Sequence, residues 1–315
     1  TLMREKRLSQ FSPDYYDTII IDEAHHSISD SYQNVLNYFS NARVLGVTAT
    51  PDRSDMRNLG QIYDSLAYEY KLPQAIKAGY LAQIVAQTIP LQLDIAHVGM
   101  AAGDYKVGEL GTALEPYLDK IAEEMVTYAK DRKTVVFLPL VETSKKFCRY
   151  LRKYGFRAAE VNGNSQDRAE VLKDFEDGKY DVLCNSMLLT EGWDCPSVDC
   201  IIVLRATKSR ALYSQMVGRG TRLHEGKENV LLLDFLWNTE RHELCRPAHL
   251  ISKDEDVAKK MTEKLEEAAA PINIEELEKE SESDVVAERE QALAEKLKEM
   301  KKRKRKLVDP LQFEM

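Results

Sequence analysis

Short apolar runs alternate with stretches of helical spacing through most of this 315-residue chain, and that alternation constrains its fold more than any other feature. Asp17–Ile21 and Arg43–Val47 read as strands around a helix over Ser31–Phe39. After an irregular, glycine-containing stretch over 91–113, a second alternating block begins. Helices are predicted over Pro116–Lys130, Glu142–Tyr154, Gln166–Glu176 and Ser209–Val217. Strands are predicted over Thr134–Leu138, Arg157–Val161, Asp181–Cys184, Asp199–Leu204 and Asn229–Phe235. Strand–helix–strand alternation places parallel strands in a sheet with helices on its faces. The expected organisation is α/β: part of one parallel-sheet domain over 1–88, a second over 89–240, and a charged helical tail over 241–315. Residues 71–90 read as a short helix and an extended run connecting the two.

The net charge of −8 gives no whole-chain signal for nucleic acid, so such binding would need a local basic surface. The run Lys301–Lys306 is basic, but a block of like charge is ordinarily a solvated helix or tail. No apolar run approaches the roughly 20 residues that span a bilayer. The five cysteines form no CxxC pair and read as reduced thiols, which places the protein in the cytoplasm. His242, Cys245 and His249 lie close in sequence but lack a fourth ligand, so the reading without metal is preferred.

Four stretches carry chemistry. In "TIIIDEAHH" (Thr18–His26), Asp22 and Glu23 follow three isoleucines. Ligands of open α/β sheets sit at the carboxyl ends of strands. One acid there can hold Mg²⁺ through water while its neighbour takes a proton from an attacking water; alternatively, Asp22 only caps a helix. "TATP" (Thr48–Pro51) places Thr48 and Thr50 after another short strand, where their hydroxyls can reach His25 and the acids. In "LLTEGWDCPSVD" (Leu188–Asp199), Gly192 permits a tight turn near a ligand. Asp194 can accept from a ribose hydroxyl or a cationic side chain, and Trp193 can stack or simply pack. In "QMVGRGTRLH" (Gln215–His224), the three-residue spacing of Arg219 and Arg222 puts both on one face of a helix. Guanidiniums match phosphate oxygens in two-pronged fashion.

In this order the four stretches resemble the motifs of superfamily-two helicases and translocases of the DEAH type, over roughly residues 1–240. "TATPDR" and "LPQAIKAGYL" are most similar to the type III restriction and phage or repair DNA translocases. The resemblance implies two RecA-like domains with ATP between them. It implies Asp22 as the Mg²⁺ ligand, Glu23 as activator of the water, and His25 as the link from nucleotide to Gln215, Thr48 and Thr50. Arg222 would be the arginine finger, with Arg219 also near the γ-phosphate. Gly192 and Asp194 would line the nucleotide cleft, and Thr190 would touch the nucleic-acid backbone. "VVFLPLVETSKKF" and "NGNSQDR" resemble further family segments. The implied partner is DNA, single- or double-stranded, with RNA as the alternative track and a nuclease or methyltransferase subunit as a candidate companion. A non-catalytic binding module on the same scaffold is the competing class. The family also calls for a phosphate loop, GxxxxGK(S/T), which is not in the sequence; the Gly-Lys pairs at Gly178 and Gly226 do not complete one. The expectation is that the first domain is incomplete, with its loop upstream of Thr1, and that the 315 residues alone hydrolyse ATP feebly.

Overall fold

The computed structural model describes residues 5–48, 59–101, 103–186, 188–190, 192–239 and 244–304. Strands β1 (Thr18–Ile21) and β2 (Arg43–Gly46) pair in parallel, Thr18 opposite Arg43, with helix α1 (Asp30–Tyr38) between them. Ile21, Ala24 and Phe39 are buried, and the Tyr16 ring packs edge-on against Phe39 at 5.1 Å. The other face of this pair carries apolar residues in the open: Ile20 is 67% exposed, and Leu45 and Val47 are also exposed.

The larger unit is a seven-stranded sheet in the order β11-β3-β10-β9-β6-β8-β7, parallel except for β11. Its strands are β3 (Gln83–Asp94), β6 (Thr134–Phe137), β7 (Ala158–Val161), β8 (Val182–Asn185), β9 (Cys200–Val203), β10 (Asn229–Asn238) and β11 (Ile272–Asn273). Between β3 and β6 come a two-stranded hairpin, β4 (Met100–Ala101) with β5 (Asp104–Tyr105), and two helices. Successive strand residues point to opposite faces, and here both faces are apolar. Val136, Cys184, Ile202 and Leu233 join one core; Phe137, Leu183, Ile201 and Leu232 join the other. Sheets covered on both sides read as continuous apolar runs, which is why "TVVF" and "CIIV" were legible as strands. The first core is closed by α3 (Val107–Leu114), α4 (Leu118–Tyr128) and α5 (Val141–Lys153). The second is closed by α6 (Arg168–Glu176), α7 (Arg210–Gly218), α8 (Glu255–Glu267) and the start of α9 (Ile274–Lys304).

The structure corrects three expectations. The extended run after the helix α2 (Leu72–Lys77) is no linker: as β3 it pairs with β10 from Gln83 opposite Asn229 to Asp94 opposite Asn238. The expected boundary at 88/89 therefore cuts through a strand. Pro90 hid that strand, because proline cannot donate to the ladder; the register steps past Pro90 and Leu91, from Phe235–Ile89 to Leu236–Gln92. Residues 91–113, expected to be irregular, contain the end of β3, the hairpin and most of α3. Residues 241–315 are not simply a tail. Val257, Ala258, Met261 and Leu265 of α8, and Ile274, Leu277 and Val285 of α9, are buried in the second core, and β11 extends the sheet. Their helical apolar spacing was hidden by the surrounding Glu, Lys and Ala. Beyond Val285 the helix is solvated, with Val286, Leu293, Leu297 and Met300 exposed; the side chains of Lys301–Lys306 lie outside the described residues.

Met261→Ala is expected to lower the urea-unfolding free energy by about 2–5 kcal/mol, the range for truncating a fully buried large side chain. Leu297→Ala is expected to change it by no more than about 0.5 kcal/mol. Equal effects would contradict the division of this segment into core and exposed parts.

Candidate nucleotide site

The predicted chemistry falls in two groups of residues, one beyond the carboxyl end of β1 and one where the turn after α7 meets the amino ends of β9 and β10. The first lies beyond β1. Ala24 N–H donates to the Val47 carbonyl (2.9 Å) and Val47 N–H to the Ile21 carbonyl (2.8 Å), so the end of β2 pins the turn that follows β1. Within that turn Glu23 takes a left-handed conformation, φ 50° and ψ 53°, the one positive φ at a non-glycine among the described residues. A non-glycine held there costs on the order of 1 kcal/mol or more, and such outliers cluster at functional sites. Asp22 is exposed, and its Oδ1 accepts from the Glu23 N–H at 2.9 Å. Thus Asp22 does not cap the following 3₁₀ turn, Ala24–Ile28, for which Glu23 is the cap position.

His25 Nδ1 lies 3.3 Å from Thr48 Oγ1 and 3.5 Å from Glu23 Oε2. The same Oε2 is shielded from solvent and makes no hydrogen bond. A buried carboxylate oxygen without a donor is costly. The side chains of His25 and Thr48 are thus in hydrogen-bond contact, as the sequence allowed. Gln215 makes no hydrogen bond to His25 among the described residues, and Thr50 lies outside them.

The second group lies on the large sheet. Ser209 caps α7, its Oγ accepting from Leu212 N–H at 3.2 Å. The helix buries Tyr213, Met216 and Val217 and leaves Gln215 half-buried. It ends at Gly218, so Arg219 and Arg222 do not share a helical face as the spacing predicted. A turn brings them together instead. Arg219 Nη1 donates to the Trp193 carbonyl at 2.7 Å and Arg222 Nη1 to the same oxygen at 3.5 Å. Arg222 Nη1 also stands 2.6 Å from Asp194 Oδ1, so its carboxylate partner is Asp194 and not Asp22 or Glu23. Gly192, with φ 68°, lets the loop carrying Trp193 and Asp194 turn sharply. Trp193 packs rather than stacks on a ligand: it is buried against Phe175. The backbone of Thr190 sits in a 3₁₀ turn over Leu188–Thr190; its side chain is outside the described set.

Two features escaped the sequence reading. At Gly220 an added Cβ would lie 2.6 Å from Val230 Cγ2 and 2.7 Å from Ile201 Cγ1, so only glycine lets the arginine turn sit this close to the sheet. The other is Lys227, whose ammonium bonds backbone carbonyls of the loop and of the turn. The pair Gly226-Lys227 had been visible only as a failed phosphate loop. His249, a metal candidate in the sequence, already accepts from Arg246 N–H through Nδ1 at 3.0 Å, and His242 lies outside the described residues.

Comparison with known proteins covers both groups of residues. Residues 117–224 match the family model for the helicase conserved C-terminal domain, and residues 1–53 match that for the type III restriction enzyme, res subunit. A Schizosaccharomyces pombe protein named as a mitochondrial ATP-dependent helicase, irc3, is 33% identical over 74% of this chain and 40% of its own length. An Escherichia coli protein, the EcoAI type I restriction endonuclease subunit, is 25% identical over 75% of this chain and 33% of its own. A solved fragment assigned to the HsdR subunit of a Vibrio vulnificus type I restriction enzyme superposes with a TM-score of 0.58 at 30% identity, covering 72% of this chain and 45% of that one.

The chain belongs to the superfamily-two helicase family, related to the restriction-type enzymes. Its fold is RecA-like. The chain spans about two fifths of the length of its irc3 relative. No helix among its described residues is long and apolar enough to cross a membrane.

Gly220→Ala is expected to cost about 1–3 kcal/mol by overpacking and to displace the turn that carries both arginines. Urea unfolding and the rate of ATP turnover in the full-length protein should both register it. A variant with unchanged stability and turnover would contradict the claim that close contact with Ile201 and Val230 sets the position of the turn.

Proposed function

We propose that this chain is the motor portion of an ATP-driven translocase or helicase that moves on DNA. The observation carrying this reading is the solvent-exposed pairing of Arg222 with Asp194. Both side chains are substantially solvent-exposed, at 37% and 61%. Ion pairs at such exposure hold weakly, so a phosphate can replace Asp194 as the partner of Arg222 at little cost. Arg219, tethered to the Trp193 carbonyl, stands beside it as a second cation.

In this reading the residues before α2 form part of one RecA-like lobe, and α2, whose Ile76 is buried in the second core, through the buried part of α9 form the other. Asp22 supplies one hard carboxylate at an exposed strand end, a donor set that suits Mg²⁺, which binds through one or two carboxylates and keeps several waters. When bound there with ATP, the ion neutralises charge that builds on the phosphates. Glu23, its Oε2 buried beside His25, takes the proton from the attacking water. His25 passes the state of that carboxylate to Thr48 at the end of the neighbouring strand. Arg222 and Arg219 approach the γ-phosphate from the other lobe. Loss of that phosphate removes their partner, Asp194 recaptures Arg222, and the lobes part. Gly192 keeps the backbone next to Asp194 open towards the nucleotide, while Thr190 and Gln215 couple the cleft to the nucleic-acid backbone. The restriction-type relationship favours DNA as the track, and a nuclease or methyltransferase subunit as companion.

The GxxxxGK(S/T) cradle is not among these 315 residues, so the test uses the full-length protein. ATP turnover is measured with double-stranded DNA, single-stranded DNA and RNA. Glu23→Gln and Arg222→Ala are each expected to lower the DNA-stimulated kcat by about 100-fold or more, the scale of general-base and arginine-finger losses. DNA is expected to stimulate more than RNA. Full turnover in Arg222→Ala would remove the finger from the account, and stimulation by RNA alone would overturn the DNA assignment.

A further inference from the structure

Lys227 follows Gly226, whose φ of 79° turns the chain back beneath the arginine turn. The three N–H groups of its ammonium are shared among four backbone carbonyls within hydrogen-bond distance: Arg222 at 2.8 Å, Pro196 at 3.2 Å, and those of Val198 and Gly220. Two of these belong to the loop that begins at Gly192, and two to the turn that follows α7. The first segment carries Trp193 and Asp194; the second carries Arg219 and Arg222. Lys227 thus cross-links, at their base, the two segments whose tips meet in the Asp194–Arg222 pair.

A lysine without a direct carboxylate partner is an expensive way to join two loops. Among the described residues Lys227 makes no ion pair; Asp199, Cys195 and Arg222 act on it only through space. Burial takes water from the ammonium and brings its pKa down from 10.5 to about 8. An apolar side chain could fill the space without that penalty, but it could not satisfy four inward carbonyls. A compact cation with three rotatable donors fits such a cage better than a planar guanidinium. The carbonyls it binds include Arg222's own, so the tether acts on the backbone of the residue assigned as the finger.

We propose that Lys227 is a positioning residue for ATP hydrolysis, fixing the reach of Arg219 and Arg222 by tying their turn to the Pro196–Val198 segment. The inference rests on the motor reading given above, because it assigns Lys227 a role through the finger. The hydrogen bonds of its ammonium all go to backbone carbonyls. Its effect falls on the step in which the guanidiniums engage the γ-phosphate, and so on kcat rather than on ATP affinity.

The test is DNA-stimulated ATP turnover by the full-length protein carrying Lys227→Met, Arg222→Ala, or both, with thermal melting recorded for each. Lys227→Met is expected to lower kcat by about tenfold or more with KM for ATP changed less than about threefold, the pattern of an interaction expressed in the transition state. Added to Arg222→Ala, it is expected to cost less than about twofold more, because residues acting through one group are not additive. If Lys227→Met does not fold, Lys227→Gln, which keeps two N–H donors, takes its place in the same comparison. Unchanged kcat in the lysine variant, or a loss that multiplies fully with that of Arg222→Ala, would overturn the positioning role while leaving the motor reading intact. No turnover in the wild type, or turnover indifferent to Arg222→Ala, would instead overturn the motor reading itself.

Discussion

Two guanidiniums meet at one backbone carbonyl, and the order of the rear half of the site depends on that meeting. The Trp193 oxygen accepts from both Arg219 and Arg222. It can do so only because Gly192 bends the loop, Trp193 itself is locked in the core, and Gly220 lets the arginine turn press against Ile201 and Val230. The rigid sheet therefore fixes the backbone of the turn, while the Arg222 side chain remains partly exposed. That division suits a device that must hold and release phosphate. A deeply buried ion pair would resist separation, since breaking one leaves an uncompensated charge. The exposed Asp194–Arg222 pair does not carry that burden.

The front half of the site is built on different physics. Its order comes from two parallel strands whose ends exchange hydrogen bonds, and from one strained residue. Glu23 is held in a left-handed conformation with a shielded, undonated oxygen, so the turn stores both conformational and desolvation cost next to Asp22. Strained positions of this kind cluster at functional sites. The outward faces differ as well. The large sheet is covered by helices on both sides, whereas Ile20, Leu45 and Val47 of the small one face outwards in the described residues.

Much of this was legible in the sequence, for definite reasons. Strands buried on both faces read as unbroken apolar runs, and glycines at Gly155 and Gly178, both at positive φ, marked where helices stop. The acids after three isoleucines marked the end of a strand. What escaped the reading depends on tertiary contact. β3 carries a proline that the register steps around, and β11 is two residues long and owes its strand character to its neighbour. The buried stripe of α8 is diluted by charged residues on its other faces. The spacing of Arg219 and Arg222 suggested a helix, but the helix had ended at Gly218, and a shared carbonyl 26 and 29 residues away brings the two together. The role of Lys227 was invisible because all four of its partners are backbone atoms, which no residue pattern displays.

The central claim is that the acids after β1 and the arginines after α7 serve one nucleotide, drawn together across a cleft. Spin labels introduced as Asn34→Cys on α1 and Lys173→Cys on α6, both exposed positions, report the separation of the two lobes by pulsed electron resonance in the full-length protein. In a Glu23→Gln background, ATP with DNA should shorten that distance, and adding Arg222→Ala should abolish the shortening. A distance that does not respond to ATP, or that shortens equally without Arg222, would contradict the account.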